Sequence, residues 1–531
     1  ILFYILITGF SVSIIRSAIM GIVMLISKIV YRKNDIWTSM GLSLLIILFY
    51  NPYLILDLGM QLSYGGTIGI VLFQRDILKF LEEKMLNMQK NKFFINKLIK
   101  PIIEIISITI SAQIIIIPII IYSLNTLNIY FLISNIFVGV IIEPLTILCF
   151  ILLISIFINN SLSTFIAYFV NMGIKILNFC AKIGDLPYSK IYFPTPNLSI
   201  VILSFAISFF VLMFFKNYYA KNKNATQIRL RNLVALFKYR IRQINRKFFI
   251  ILFILSIFFM YVLKLIPSDL KVHFIDVGQG DATFIITPNN STILIDGGGN
   301  LTSSFDVGEN TLIPYILDRG FSSIDFVMIS HFDYDHVGGI LSLLENLEVK
   351  KIIISKQYEM TDNYEKFLEI VCNKNIDIIL VGAGDKINIE KNLYFDILWP
   401  SKDFITENAI NNNAIVAKMV YGKFNMLFTG DIEEIAEKEI LKNYDKKVLN
   451  AVVLKVAHHG SKTSSTEEFL ENVNPKIALI GVGKNNNFGH PSGEVLYRLQ
   501  EHNVQLYRTD LNGEIIINIK ENGYFSVNTC I

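Results

Sequence analysis

Through its first 265 residues this chain repeats long apolar runs separated only by short polar breaks, and near residue 266 the pattern stops. A backbone surrounded by hydrocarbon has to satisfy its own N–H and C=O groups, so runs of this kind are restricted to helices. Candidate spans lie near 1–15, 17–31, 38–56, 60–74, 103–123, 129–158, 162–180, 198–215 and 248–265. The stretch 129–158 is long enough for two, broken at Glu143-Pro144. Against the ~20 residues that cross a bilayer, this predicts roughly eight to ten helices, some tilted or re-entrant. The charged fraction is 17%, whereas a soluble chain carries about a quarter. After 266, short β-rich runs alternate with amphipathic ones, as in a water-exposed α/β domain. The expected division is a membrane domain over 1–266 and an α/β domain over 267–531. The opening ILFYILITGF has no initiator Met and is already apolar, so the true N-terminus is read as missing. Apolar runs continue far beyond it, which argues against a cleaved signal peptide.

Two basic stretches punctuate the first half. One, 75–100, reads as an amphipathic interfacial helix. The other, 216–247, holds ten Lys or Arg and no Asp or Glu. Such a run reads first as a cytoplasmic loop under the positive-inside rule, and second as a nucleic-acid contact. If it is cytoplasmic and 248–265 spans once, everything after Pro267 lies outside the cytoplasm. Among the spans, DLGMQLSYGGTIG (57–69) gathers Gln61, Ser63 and Tyr64 with four glycines. It suits either an aqueous path or close helix–helix packing. The four cysteines are scattered and form no CxxC pair, so neither a disulfide framework nor a zinc ribbon is implied.

The chemistry sits in the second half, where β-rich runs repeatedly end in polar clusters. Asp281 closes DVGQGD, and Asp296 precedes three glycines in LIDGGG, where a chain can turn tightly. The run VMIS is followed by His331-Phe332-Asp333-Tyr334-Asp335-His336, four potential metal ligands within six positions. On extended backbone 331, 333 and 335 would point the same way. Thr429-Gly430-Asp431 follows FNMLF, and His458-His459-Gly460-Ser461 follows VLKVA. One such residue after a strand is an ordinary turn or cap. Three clusters, each ending a strand, predict a metal site. Lys484 and His490 fall in the Gly/Asn-rich loop GVGKNNNFGHPS, His490 as a site-lining residue or a plain loop residue.

HFDYDH, with LIDGGG, TGD and HHGS in order, resembles the metallo-β-lactamase superfamily. The resemblance implies an αββα sandwich with two divalent metal ions. His331 and Asp333 would hold one, Asp335 and His336 the other, and Asp431 would bridge them. One of His458 and His459 would complete the second shell, leaving the other for proton transfer or substrate contact. Asp296 would be a supporting acid. The sequence departs from the superfamily in two ways. Asp333 replaces a histidine, and no histidine lies between His336 and His458, where NNNAIV with Asn413 stands. Oxygen-richer ligands favour harder ions, so Mn²⁺ or Zn²⁺ is expected and Mg²⁺ tolerated. Two such ions suit hydrolysis of a phosphodiester.

Nearly the whole chain resembles a narrower family. DVGQGDA, HFDYDHVGG, LKVAHHGSKTSS and NNNFGHPS look like the hydrolase domain of ComEC-type competence proteins, and RSAIMGI and YNPYLILDLGMQLSYGG look like their membrane domain. This implies DNA uptake in natural transformation at the cell membrane. The bundle would pass one strand while an external nuclease domain degrades the other. A DNA-receptor protein and a cytoplasmic helicase-type motor would be partners, since no Walker A loop is present. Two other readings keep part of this picture. One is a membrane-bound phosphodiesterase acting on small phosphodiesters. The other is a channel whose hydrolase domain only binds DNA.

Overall fold

The computed structural model describes residues 9–33, 35–86, 100–182, 186, 189–208, 268–299, 305–357, 360–484 and 486–530. The chain divides into two compact units, 1–228 and 229–531. The expected boundary near 266, the spans proposed at 1–15 (in part) and 248–265, and the basic run 216–247 lie outside the described residues.

In the first unit the helices are α1 (Val12–Ile29), α2 (Ile36–Tyr50), α3 (Leu58–Leu86), α4 (Lys100–Leu124), α5 (Phe131–Ser155) and α6 (Asn160–Ala181). Among the described residues α1, α4, α5 and α6 are long and apolar enough to cross a membrane, and α2 and 198–208 are shorter apolar helices. This is a multi-pass membrane unit. Three boundaries differ from the sequence reading. The chain from Val12 to Ile29 is one helix. Pro144 sits inside α5 without ending it. The span expected at 60–74 runs on as α3 to Leu86, because no proline or glycine after Gly69 interrupts it.

Helix starts are set by side-chain caps. Asp35 accepts from the Thr38 amide at 2.9 Å, and Asn159 from the Ser161 amide at 2.7 Å. The glycine-rich segment serves packing. A Cβ on Gly69 would lie 2.3 Å from the Ser111 carbonyl of α4, so only glycine permits this approach of α3 to α4.

The second unit is an αββα sandwich. Its strands are β1 (Leu270–Phe274), β2 (Thr283–Ile286), β3 (Thr292–Ile295), β4 (Ser323–Met328), β5 (Glu348–Ser355), β6 (Asp377–Val381), β7 (Lys386–Glu390), β8 (Leu393–Trp399), β9 (Val416–Tyr421), β10 (Phe424–Phe428), β11 (Val453–Lys455), β12 (Ile477–Ile480), β13 (Gln505–Arg508), β14 (Ile515–Ile519) and β15 (Phe525–Thr529). One sheet has the order β15-β14-β1-β2-β3-β4-β5-β6 and the other β13-β12-β11-β10-β9-β8-β7. Strand alternation sends every second residue to each face. Met426, Val453 and Ile477 therefore join the core between the sheets, with Val272, Ile285, Ile293 and Ile353 opposite. Leu427, Leu454 and Ala478 point the other way, under Ile440, Phe469, Leu470 and Val495 of the outer helices.

β3–β4 and β10–β11–β12 pair in parallel. Their carboxyl ends therefore lie at the same edge within each sheet, where open α/β sheets bind ligands.

Candidate metal centre

Each site residue follows a strand. Asp296 follows β3, His331 follows β4, Asp431 follows β10 and His459 follows β11, while Asp281 closes the β1–β2 connection. The HFDYDH motif is not extended throughout. Asp333 is the N-cap of α7 (Tyr334–Asn346), which places Asp335 and His336 in its first turn. The backbone packs tightly here. Gly280 has φ +120°, and a Cβ on it would fall 2.2 Å from the Asp335 carbonyl. Asp296, His458 and His459 all hold positive φ, of 56°, 49° and 52°. Such strained conformations concentrate at functional sites.

Asp281, His336, Asp431 and His459 are all buried, with one ligand atom from each lying within 4.8 Å of the others. His336 Nε2 is 3.2 Å from Asp431 Oδ1, and His459 Nε2 is 3.3 Å from both Asp431 Oδ2 and Asp335 Oδ2. The Nε2 atoms of His331, His336 and His459 are nevertheless buried without a hydrogen-bond partner. Those of His336 and His459 lie in one tight group with Asp281 and Asp431, which is the arrangement of ligands around a cation.

The opposite ring nitrogens are anchored. His336 Nδ1 donates to Asp296 Oδ2 at 2.9 Å, and His459 Nδ1 to the Gly481 carbonyl at 2.8 Å. The Ser330 hydroxyl gives its one proton to Asp296 Oδ2 at 2.7 Å, so at 2.9 Å from His331 Nδ1 it accepts. Each bond fixes the tautomer that presents Nε2 as a ligand.

The charges of the protein groups point the same way. Burial opposes ionisation of Asp431, but His336, His459 and Lys455 hold it well below the carboxylate range. Burial likewise opposes charging of the imidazoles. Asp431 and Asp296 outweigh it at His336, raised well above the usual value, and Asp431 and Asp281 lift His459 to about 10. Burial and the His336 charge push His331 down to about 3, so it is neutral. Burial and Asp335 raise Asp333 to about 6. A divalent cation is what such a set of acids and imidazoles accommodates.

The remaining residues named from the sequence fall at different distances. Asp333 is half-exposed, its Oδ2 3.8 Å from His331 Nε2. His458 lies at the rim. Its Nδ1 is 3.6 Å from Glu433 Oε1, and its ring centre is 5.8 Å from that of His490, which stacks on Phe488. His459 therefore lies in the buried Asp/His group, and His458 is the outer histidine. Lys484 is exposed. The Asn413 amide is taken up by backbone: it accepts from Ile405 N and donates to the carbonyls of Ile405 and Ala409. It braces the 405–413 loop instead of supporting the cluster.

Sequence reasoning assigned no role to Lys455, Glu433 or Ser330. Lys455 is 3% exposed, contacts Asp281, sits 3.2 Å from Asp431 Oδ1 and donates to the Gly430 carbonyl at 2.7 Å. A signal was available: Lys455 shares the inward parity of Val453 on a buried strand, an unusual place for a charge without a partner.

Residues 1–218 match the family described as competence protein, and 275–484 match the metallo-beta-lactamase superfamily. A competence domain followed by a metallo-beta-lactamase domain makes the chain similar to ComEC-type competence proteins. The chain is 28% identical over 99% of its length to ComE operon protein 3 of Bacillus subtilis, covering 63% of that protein. Competence protein ComA of Neisseria gonorrhoeae is 26% identical over 47% of this chain and 32% of its own. The chain thus spans less than two thirds of these relatives. CmlA, a diiron β-hydroxylase from Streptomyces venezuelae, superimposes with a TM-score of 0.31 and 12% identity, over 48% of this chain and 55% of its own.

Proposed function

We propose that this chain internalises DNA: its membrane unit (1–266) passes a single strand, and its α/β unit (267–531), outside the cytoplasm, hydrolyses phosphodiester bonds of the other strand. The observation that carries the reading is the convergence of His336, His459, Asp335 and Asp431 on one buried point, in a chain whose other half is a competence domain. The basic run 216–247, read as cytoplasmic, supports the external placement. A DNA-receptor protein and a cytoplasmic motor are the partners this reading requires.

Two divalent ions, Mn²⁺ or Zn²⁺ by ligand chemistry, would be held by His331, Asp333, Asp335, His336, Asp431 and His459. When bound they would activate water and neutralise charge on the phosphate. The protein's own contribution is positional. Asp296 and Ser330 orient His336 and His331, and Gly481 orients His459. Lys455 contacts both Asp281 and Asp431 and holds the two side chains in place. His458, on the rim beside Glu433 and His490, gives its proton to the leaving oxygen.

The test uses the full chain in nanodiscs with end-labelled single- and double-stranded DNA under Mn²⁺, Zn²⁺, Mg²⁺ or EDTA. Cleavage should need metal and vanish in Asp335→Ala and His336→Ala. Intact DNA under every metal would overturn the nuclease reading. Cleavage of only a small chromogenic phosphodiester would favour the small-substrate enzyme.

A further inference from the structure

We propose that Arg16 is a phosphodiester-binding residue inside the membrane unit, on the path of the transported strand. The inference rests on the DNA-passage reading and assigns it a contact.

Arg16 lies in the second turn of α1, an apolar helix long enough to cross a membrane. No Asp or Glu occurs before Asp35. The next two acids are committed elsewhere: Asp35 caps α2, and Asp57 accepts from the Met60 amide at 2.7 Å. Every group that Arg16 touches among the described residues is neutral. Nη1 donates to Thr67 Oγ1 at 2.7 Å and approaches Met20 Sδ at 3.6 Å. Nη2 has only a 3.4 Å contact with Ser17 Oγ in an exposed setting, and Nε has no acceptor. The guanidinium carbon lies 5.4 Å from the Tyr64 ring centre.

Nε and Nη2 form one edge of the guanidinium, the edge that receives two oxygens of a carboxylate or phosphate. Nη1, on the far side, is anchored to α3. The geometry therefore holds a cation in place while leaving its oxyanion-binding edge without a full partner. Position within the bundle supports this. Tyr64 bonds Ser43 at 2.8 Å, and Ser43 is the eighth of the fifteen residues of α2, so the cluster is tied to the middle of that helix. Ser13 and Ser63 meet at 2.9 Å beside it. No acid among the described residues pairs with Arg16, and an ionised group in such surroundings marks an ion or substrate path. Thr67, Ser63 and Ser13 make that path polar. The phosphodiester of a nucleic acid and that of a lipid headgroup share this chemistry, so the experiment must separate them.

The full chain is reconstituted in phosphatidylcholine nanodiscs with EDTA, and binding of a fluorescent single-stranded oligonucleotide is titrated against salt. Arg16→Gln should weaken binding about tenfold or more and flatten the salt dependence, with Arg16→Lys intermediate. Thr67→Val, which keeps the charge and removes its anchor, should fall between native and Arg16→Gln. In a host whose only copy is the variant, internalised labelled DNA should drop with Arg16→Gln, while metal-dependent cleavage by the α/β unit stays at the native rate. Native oligonucleotide affinity and uptake in Arg16→Gln would overturn the proposal. So would a loss seen only when phosphatidylglycerol is added, which would make Arg16 a lipid contact. If the native chain itself neither binds the oligonucleotide nor internalises DNA, the passage reading fails instead, and the two failures are distinct.

Discussion

Loading the centre with metal should release protons, and the number follows from the geometry. His336 and His459 each keep Nδ1 engaged, with Asp296 and with the Gly481 carbonyl, so only Nε2 is available to a cation. Without metal the surrounding acids raise His459 to about 10 and His336 well above its usual value. At pH 7.5 both Nε2 atoms therefore carry protons, while His331, held down to about 3, carries none. A ligand nitrogen must be deprotonated, so occupation by these two histidines should expel about two protons, and apparent affinity should rise about a hundredfold per pH unit. The same shifts fix the sign of stability. A folded-state value above the unfolded one near 6.5 stabilises the fold fully below that pH. For His459 the contribution declines as pH climbs towards about 10. The chelated chain should thus lose stability between pH 7 and 10, and the metal-loaded chain should not. Calorimetric Mn²⁺ titrations in buffers of different ionisation enthalpy count the protons directly. A release near zero at pH 7.5 would refute the arrangement, because it would mean the imidazoles are already neutral.

Three further outcomes test separate parts of the account. Lys455→Met leaves Asp281 and Asp431 buried without their cation and should cost about 3–5 kcal/mol of stability, read by urea unfolding of Trp399 emission in a Trp37→Phe background. His459→Ala should abolish tight metal binding, whereas His458→Ala should retain it by calorimetry and slow DNA cleavage by about 10²–10⁴. Equal metal loss in both would reverse the assignment. Gly69→Leu, whose Cβ would begin 2.3 Å from the Ser111 carbonyl, should force α3 from α4 and lower the yield of folded chain in size-exclusion chromatography, with Gly41→Ala, in open space, as the milder control.

Apolar run length and strand-terminal clusters made much of this protein readable in one dimension. They are local signals, because a bilayer fixes the length of a span and strand alternation sends catalytic residues to sheet edges. The membrane unit and the α/β character of the second half follow from them, while the αββα class follows from the resemblance of the motifs to the metallo-β-lactamase superfamily. Three-dimensional packing decided what depends on partners distant in sequence. Asp281 reads in the sequence as a supporting residue at a glycine turn, and folding places it beside His336 and Asp431, fifty-five and one hundred and fifty positions along the chain. Spacing could not separate His458 from His459. The Gly481 carbonyl turns one ring inward, while Glu433 and His490 accompany the other at the rim. Asn413 reads as a supporting residue by position alone, and its amide is taken by the backbone of its own loop. Lys455 shows the limit most clearly. A buried lysine is tolerable only where acids surround it, and that surrounding exists only after β1, β10 and β11 are brought together.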